Sequence, residues 1–193
     1  MAVENSKIET CKNSDAIYKD VVVLGCGNIL FGDDGFGPSV AEYLQNCIRL
    51  PQNVSVINAG TSVQGILFDI ILSDQRPKKI IIIDAVDARR KPGEVFNLNA
   101  DELPQNKVGN YTLHQMPASN LLRELKEFCN VDVTIIAGQV DHIPEAVQPG
   151  LSDVLMESVA VAAEEVLKSC NARLVNMNQD ILWKMEIRKE SQS

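Results

Sequence analysis

Val21-Val-Val-Leu-Gly-Cys-Gly-Asn-Ile-Leu-Phe-Gly-Asp-Asp-Gly-Phe-Gly37 decides how the rest of the chain is read. An apolar run of strand type enters a glycine-rich turn, the turn carries the adjacent carboxylates Asp33 and Asp34, and a helix opens near Phe36. A turn of this kind sits at the carboxyl end of a sheet strand, where open α/β folds build their sites. Two more polar residues fall at similar places. Asp84 closes the run Lys79-Ile-Ile-Ile-Ile-Asp84, and His114 precedes a helix expected to begin near Pro117. Asp34, Asp84 and His114 converging at one sheet edge would make a metal-recognition site. Carboxylate oxygens and neutral imidazole suit a borderline divalent ion such as nickel or zinc. Three protein ligands leave positions open for water or a substrate group.

Outward from this stretch, strand and helix signals alternate. Val- and Ile-rich strands are expected at 20–25, 53–58, 79–84 and 131–138, with a shorter one at 94–98. Between them, 37–49 places Val40, Ala41, Leu44, Cys47 and Ile48 on one helical face. Pro38 suits its first turn, where a missing N–H costs nothing. Residues 62–73 repeat the pattern less cleanly, with Val63, Ile66, Leu67, Ile70 and Ile71. Residues 117–129 repeat it with Leu121, Leu122, Leu125, Phe128 and Cys129, and 152–169 start on Ser152 as N-cap after Pro149 and Gly150. Alternating β and α elements with such strands predict a three-layer αβα sandwich around a twisted, mostly parallel five-stranded sheet.

The 193 residues fit one domain with a sizeable core, and 45% apolar with 23% charged residues is ordinary for a globular protein. A net charge of -8 argues against nucleic acid and against an anionic membrane surface as partners. No apolar run reaches the roughly 18 residues that span a bilayer. The polar, acidic start is no signal peptide. The five cysteines, Cys11, Cys26, Cys47, Cys129 and Cys170, show no pairing pattern and fit reduced thiols in a cytoplasmic protein. Cys26 reads either as a small buried residue between two glycines or as a thiol activated at a helix N-terminus. The organisation expected is a flexible leader over 1–19, one domain over 20–170, and an extension over 171–193 that holds the only tryptophan, Trp183.

Gly25-Cys-Gly27 opens like a dinucleotide fingerprint, but the third glycine would fall on Leu30. Asp33 and Asp34 would also repel a pyrophosphate, and the turn has no lysine or arginine to offset them. A P-loop is excluded by the absence of Gly-Lys-Ser/Thr. Carboxylates at a helix N-terminus are instead stabilised as anions by the helix dipole. One Asp is enough to cap the helix, and the second needs another reason. Taken singly, Asp84 also reads as a turn former and His114 as a surface or capping residue. His142, in Val140-Asp-His-Ile-Pro-Glu145, reads as a rim or orienting residue.

Leu24-Gly-Cys-Gly-Asn-Ile-Leu-Phe-Gly-Asp-Asp-Gly-Phe-Gly37 strongly resembles the G-x-G-N-x-L-x-x-D-[DE]-x-x-G signature of hydrogenase maturation endopeptidases. Asn58-Ala-Gly-Thr61, Ile83-Asp-Ala85 and His114-Gln115 follow in the family's order, so the resemblance covers residues 20–168. It places the family's metal-binding acidic position on Asp34, where many members have Glu, its strand-end aspartate on Asp84, and its histidine on His114. The Leu-Gly-Cys variation and the His142 loop are most similar to the branch serving deazaflavin-coenzyme-reducing hydrogenases of methanogenic archaea.

The resemblance implies an aspartic-type endopeptidase that removes a C-terminal extension from the nickel-loaded precursor of a nickel–iron hydrogenase large subunit. Nickel held by the precursor would take further ligands from Asp34, Asp84 and His114, so that metal is the recognition element. The resemblance leaves three routes open: the metal polarises the scissile carbonyl, the metal supplies hydroxide, or an aspartate acts as general base on a water. Asp33 is a candidate for that role beside Asp34 and Asp84, with helix capping as the plainer reading. Asn28 is expected to bond backbone across its turn, and Gly60 to allow close approach of a substrate chain. The alternative of another class is a non-catalytic nickel or precursor-binding chaperone of the same fold. A small-molecule hydrolase or nucleotide-binding enzyme is a third.

Overall fold

The computed structural model describes residues 13–48, 50–99 and 119–170. Its elements follow the alternation in the sequence. The strands are β1 (Val21–Cys26), β2 (Val54–Gly60), β3 (Lys79–Val86), β4 (Val95–Asn99) and β5 (Asp132–Gln139). The helices are α1 (Phe36–Cys47), α2 (Val63–Leu72), α3 (Ser119–Glu127) and α4 (Asp153–Ser169). The sheet order is β2-β1-β3-β5-β4. Every pairing is parallel except β4 with β5. The fold is therefore the expected αβα sandwich on a mostly parallel sheet.

Burial on both faces explains why the central strands read as continuous apolar runs rather than alternating ones. Ile80 and Ile82 pack with Val63, Leu67, Leu122 and Leu125 beneath α2 and α3. Ile81 and Ile83 pack with Val40, Leu44, Val159 and Val166 beneath α1 and α4. Each isoleucine of the run thus serves one of two cores. The chain leaves β1 through α1 on one face and reaches β3 through α2 on the other. This order creates a crevice between the carboxyl ends of β1 and β3, the switch point at which such sheets bind ligands.

Close backbone packing seats α1 against that crevice. A Cβ on Gly37 would collide with the carbonyl oxygens of Cys26 and Ile83, the last residues of two adjacent strands before the site. A Cβ on Gly25 would collide with the Gly37 carbonyl from the other side. The first and last glycines of this motif therefore let the first turn of α1 lie directly on the sheet.

Several expectations change. Phe128 is 80% exposed, because α3 ends at Glu127 and the chain turns away before its apolar face continues. Cys129 is half-buried against the core, while the Cys47 side chain lies outside the described residues. Residues 13–18, expected within a loose leader, form a 3₁₀ turn whose Ala16 carbonyl accepts the Ser55 hydroxyl at 2.6 Å. Ser152 caps α4, accepting the Leu155 N–H at 3.4 Å. Neither Asp33 nor Asp34 caps α1; its N-cap is Gly35, with no side-chain bond. Among the described residues no helix is long and apolar enough to cross a membrane. His114, Pro117 and the 171–193 extension with Trp183 lie outside the described residues.

Candidate active site

The turn after β1 is a 3₁₀ segment, Gly32–Gly35, buried throughout. It sends its two carboxylates to different tasks. Asp34 Oδ2 accepts the Asn28 N–H at 2.8 Å, and Asn28 N–H also reaches the Asp34 carbonyl at 3.1 Å. Asn28 in turn accepts the Leu30 N–H on its side-chain oxygen at 3.1 Å, the bond to turn backbone expected of it. These bonds fix the Asp34 carboxyl at the end of β1, where 6% of the residue is exposed.

Asp84 arrives from β3. The paired stretch of β1 and β3 ends at Gly25 opposite Ile83, so Asp84 is the next residue beyond that register. It is 3% exposed, and its Oδ1 accepts the N–H of Ala85 at 2.8 Å. No cation pairs with it among the described residues. Burial pushes its pKa from 3.8 up to about 7; the Ala85 bond opposes the rise and the Asp34 charge adds to it. Asp34 and Asp84 are thus brought to one crevice and feel one another. A buried carboxyl such as Asp84, whose ionisation burial and a second carboxylate both oppose, is costly to charge and ready to receive a cation or hold a proton. Cys26, also at the end of β1, is fully buried, and burial followed by the Asp84 charge pushes its thiol pKa well up. Its plainer reading, a small core residue, matches this inert environment.

Asp33 turns the other way. Its Oδ2 accepts the Asp141 N–H at 2.8 Å, the His142 N–H at 3.1 Å and the Ser152 hydroxyl at 3.0 Å; its Oδ1 accepts the Ser152 N–H at 2.7 Å. Four donors match the roughly four acceptor sites of a carboxylate, and none of Asp33 is exposed. A group so enclosed has no surface open to a substrate water. The expected general base is corrected to a residue that ties the turn to the segment before α4. Sequence inspection found Ser152 as a helix cap but gave no sign that it also meets Asp33, 119 residues away.

His142 is exposed on that same segment. Gly60 has φ +50, which itself calls for glycine, and its carbonyl accepts the Gly27 N–H at 3.1 Å. It thereby joins the end of β2 to the turn. Among the described residues no three of His, Cys, Asp and Glu gather as a ligand set. The third expected ligand, His114, lies outside them.

Comparison with known proteins completes this picture. A family model described as hydrogenase maturation protease matches residues 38–169. This chain belongs to the hydrogenase maturation protease family. A Methanocaldococcus jannaschii protein, provisionally named a hydrogenase maturation protease, is 38% identical over 77% of this chain and 95% of its own length. The coenzyme F420 hydrogenase subunit delta of Methanothermobacter thermautotrophicus is 34% identical over 77% of this chain and 92% of its length. Among solved structures, the hydrogenase maturating endopeptidase HybD of Escherichia coli superposes with a TM-score of 0.61 at 28% identity, covering 78% of this chain and 91% of that one.

Proposed function

We propose that this protein is an endopeptidase that removes a C-terminal extension from the nickel-loaded precursor of a nickel–iron hydrogenase large subunit. The observation that carries the reading is the buried, mutually repelling pair Asp34 and Asp84 at the β1–β3 switch point. A buried carboxyl whose ionisation a neighbouring carboxylate opposes is the kind of pairing that clusters at functional sites. Nickel is cargo of the substrate here. Asp34 and Asp84 supply it with oxygen ligands, and His114 with imidazole. The substrate's metal then docks the precursor and sets its scissile peptide beside the two carboxylates.

The reaction is hydrolysis: a water oxygen bonds to the scissile carbonyl carbon, the C–N bond breaks, and the leaving amine takes a proton. One carboxylate of the Asp34–Asp84 pair accepts the proton that the water loses and returns it to the amine. Asp34, held by Asn28, stays in position to bind metal. Asp33 contributes by fixing the turn. The relationship to the Methanothermobacter protein favours the precursor of a deazaflavin-coenzyme-reducing hydrogenase as substrate.

Mass spectrometry of nickel-loaded and nickel-free precursor after incubation tests this reading. Loss of a C-terminal peptide from the loaded form alone supports a metal-gated peptidase. Binding of the loaded precursor without any cleavage would replace it with the chaperone reading.

A further inference from the structure

The turn that carries Asp34 leaves two large apolar side chains in water, Ile29 at 58% and Leu30 at 44% exposed. Facing it, Val147 is 65% exposed. The backbone brings these residues together. Gln148 donates its N–H to the Leu30 carbonyl at 2.8 Å, and Gly32 donates to the Gln148 carbonyl at 2.8 Å. Phe31 thus lies opposite Gln148 in a parallel bridge. Leu30 and Val147, each one residue earlier, are neighbours on the same side of that bridge.

The arrangement is rigid. Asp33 binds the amides of Asp141, His142 and Ser152, which bracket Val147 on both sides. Gly32, at φ +55, has Pro144 so close that a Cβ would approach its Cδ to 2.7 Å. The lip is also continuous with the site, since Asn28, next to Ile29, donates to the Asp34 carboxylate. Single exposed apolar residues are ordinary, but Leu30 and Val147 joined across a backbone bridge, with exposed Ile29 next in the same turn and the Asp34 carboxylate bonded to Asn28 before it, mark a contact surface.

We propose that Ile29, Leu30 and Val147 form the lip on which an apolar segment of the precursor's C-terminal region lies while its scissile peptide reaches Asp34 and Asp84. Asp33 is the positioning residue that keeps the two halves of the lip in register. The occupant follows from the lip's place beside the carboxylates, where a second copy of this chain would close the site. The inference rests on the peptidase reading above.

The test uses the full chain and nickel-loaded precursor. Leu30→Ser with Val147→Ser raises KM by about tenfold or more, with kcat within about twofold and Tm unchanged. Phe128→Ser, at the opposite end of the sheet, changes neither constant. Asp33→Asn raises KM in the same way and speeds hydrogen exchange at Asp141, His142 and Ser152. A fall of about a hundredfold in kcat at constant KM and exchange would overturn its positioning role. An unchanged KM in the double variant would overturn the lip. If wild type does not cleave, the peptidase reading fails, and the lip is judged by precursor affinity. The double variant then binds about tenfold more weakly, whereas equal affinities, or no binding by wild type, refute it. A wild-type dimer that the double variant abolishes would assign the lip to a second copy and overturn the proposal.

Discussion

Replacing Asp84 with Asn should make the folded protein more stable at alkaline pH. The Asp84 carboxyl titrates near 7 when folded and near 3.8 when unfolded. Between these values the folded chain holds a proton that the unfolded chain has released, so wild-type stability falls as pH rises. Each unit of separation is worth about 1.4 kcal/mol. From pH 5 upward roughly two units remain, so the cost that accrues by pH 8 is about 3 kcal/mol. Asn carries no charge at either pH and keeps an oxygen to accept the Ala85 N–H now bound at 2.8 Å. The stability gap between Asp84→Asn and wild type should therefore widen in the variant's favour by about 3 kcal/mol between pH 5 and pH 8. For a chain of this size that is roughly 6–12 °C in Tm. Calorimetric melts of both proteins at the two pH values measure it directly. A gap that does not change with pH, or a variant less stable than wild type at pH 8, would refute the claim that burial and the Asp34 charge oppose ionisation of Asp84.

Three other outcomes follow from the geometry. Gly37→Ala forces a Cβ against the Cys26 and Ile83 carbonyls, so it should destabilise by about 3 kcal/mol or more and be visible as lost Tm or as insolubility. Ser152→Ala removes both the α4 cap and one donor to Asp33, which should lower the free energy of unfolding in urea by about 1–2 kcal/mol. Cys26, fully buried with its thiol pKa raised by burial and then by Asp84, should resist alkylation in the native protein at pH 8 and label on unfolding, as peptide mass mapping would show.

The fold was legible because its signals are local and repeated. Four isoleucines before Asp84 need two covered faces, and the covers are present as amphipathic stretches on both sides. Pro38 and Ser152 mark helix starts for reasons that require no tertiary information. Phe128 was misread because periodicity continues past the point where the chain stops being helical. The candidate site was legible as residues near strand ends, since Asp34 lies in the turn that follows β1 and Asp84 near the end of β3. The division of labour between Asp33 and Asp34 was not. It depends on a segment more than 100 residues later folding back so that its amides meet one carboxylate and not the other. Adjacent identical residues carry no sequence signal of that choice.

The central claim is that Asp34 and Asp84 receive the precursor's nickel, and nickel X-ray absorption on the precursor tests it most directly. Adding wild-type protein should increase the number of oxygen or nitrogen neighbours around nickel, and adding Asp34→Ala/Asp84→Ala protein should not. An unchanged nickel environment with bound wild type, or the same change with the double variant, would contradict the account.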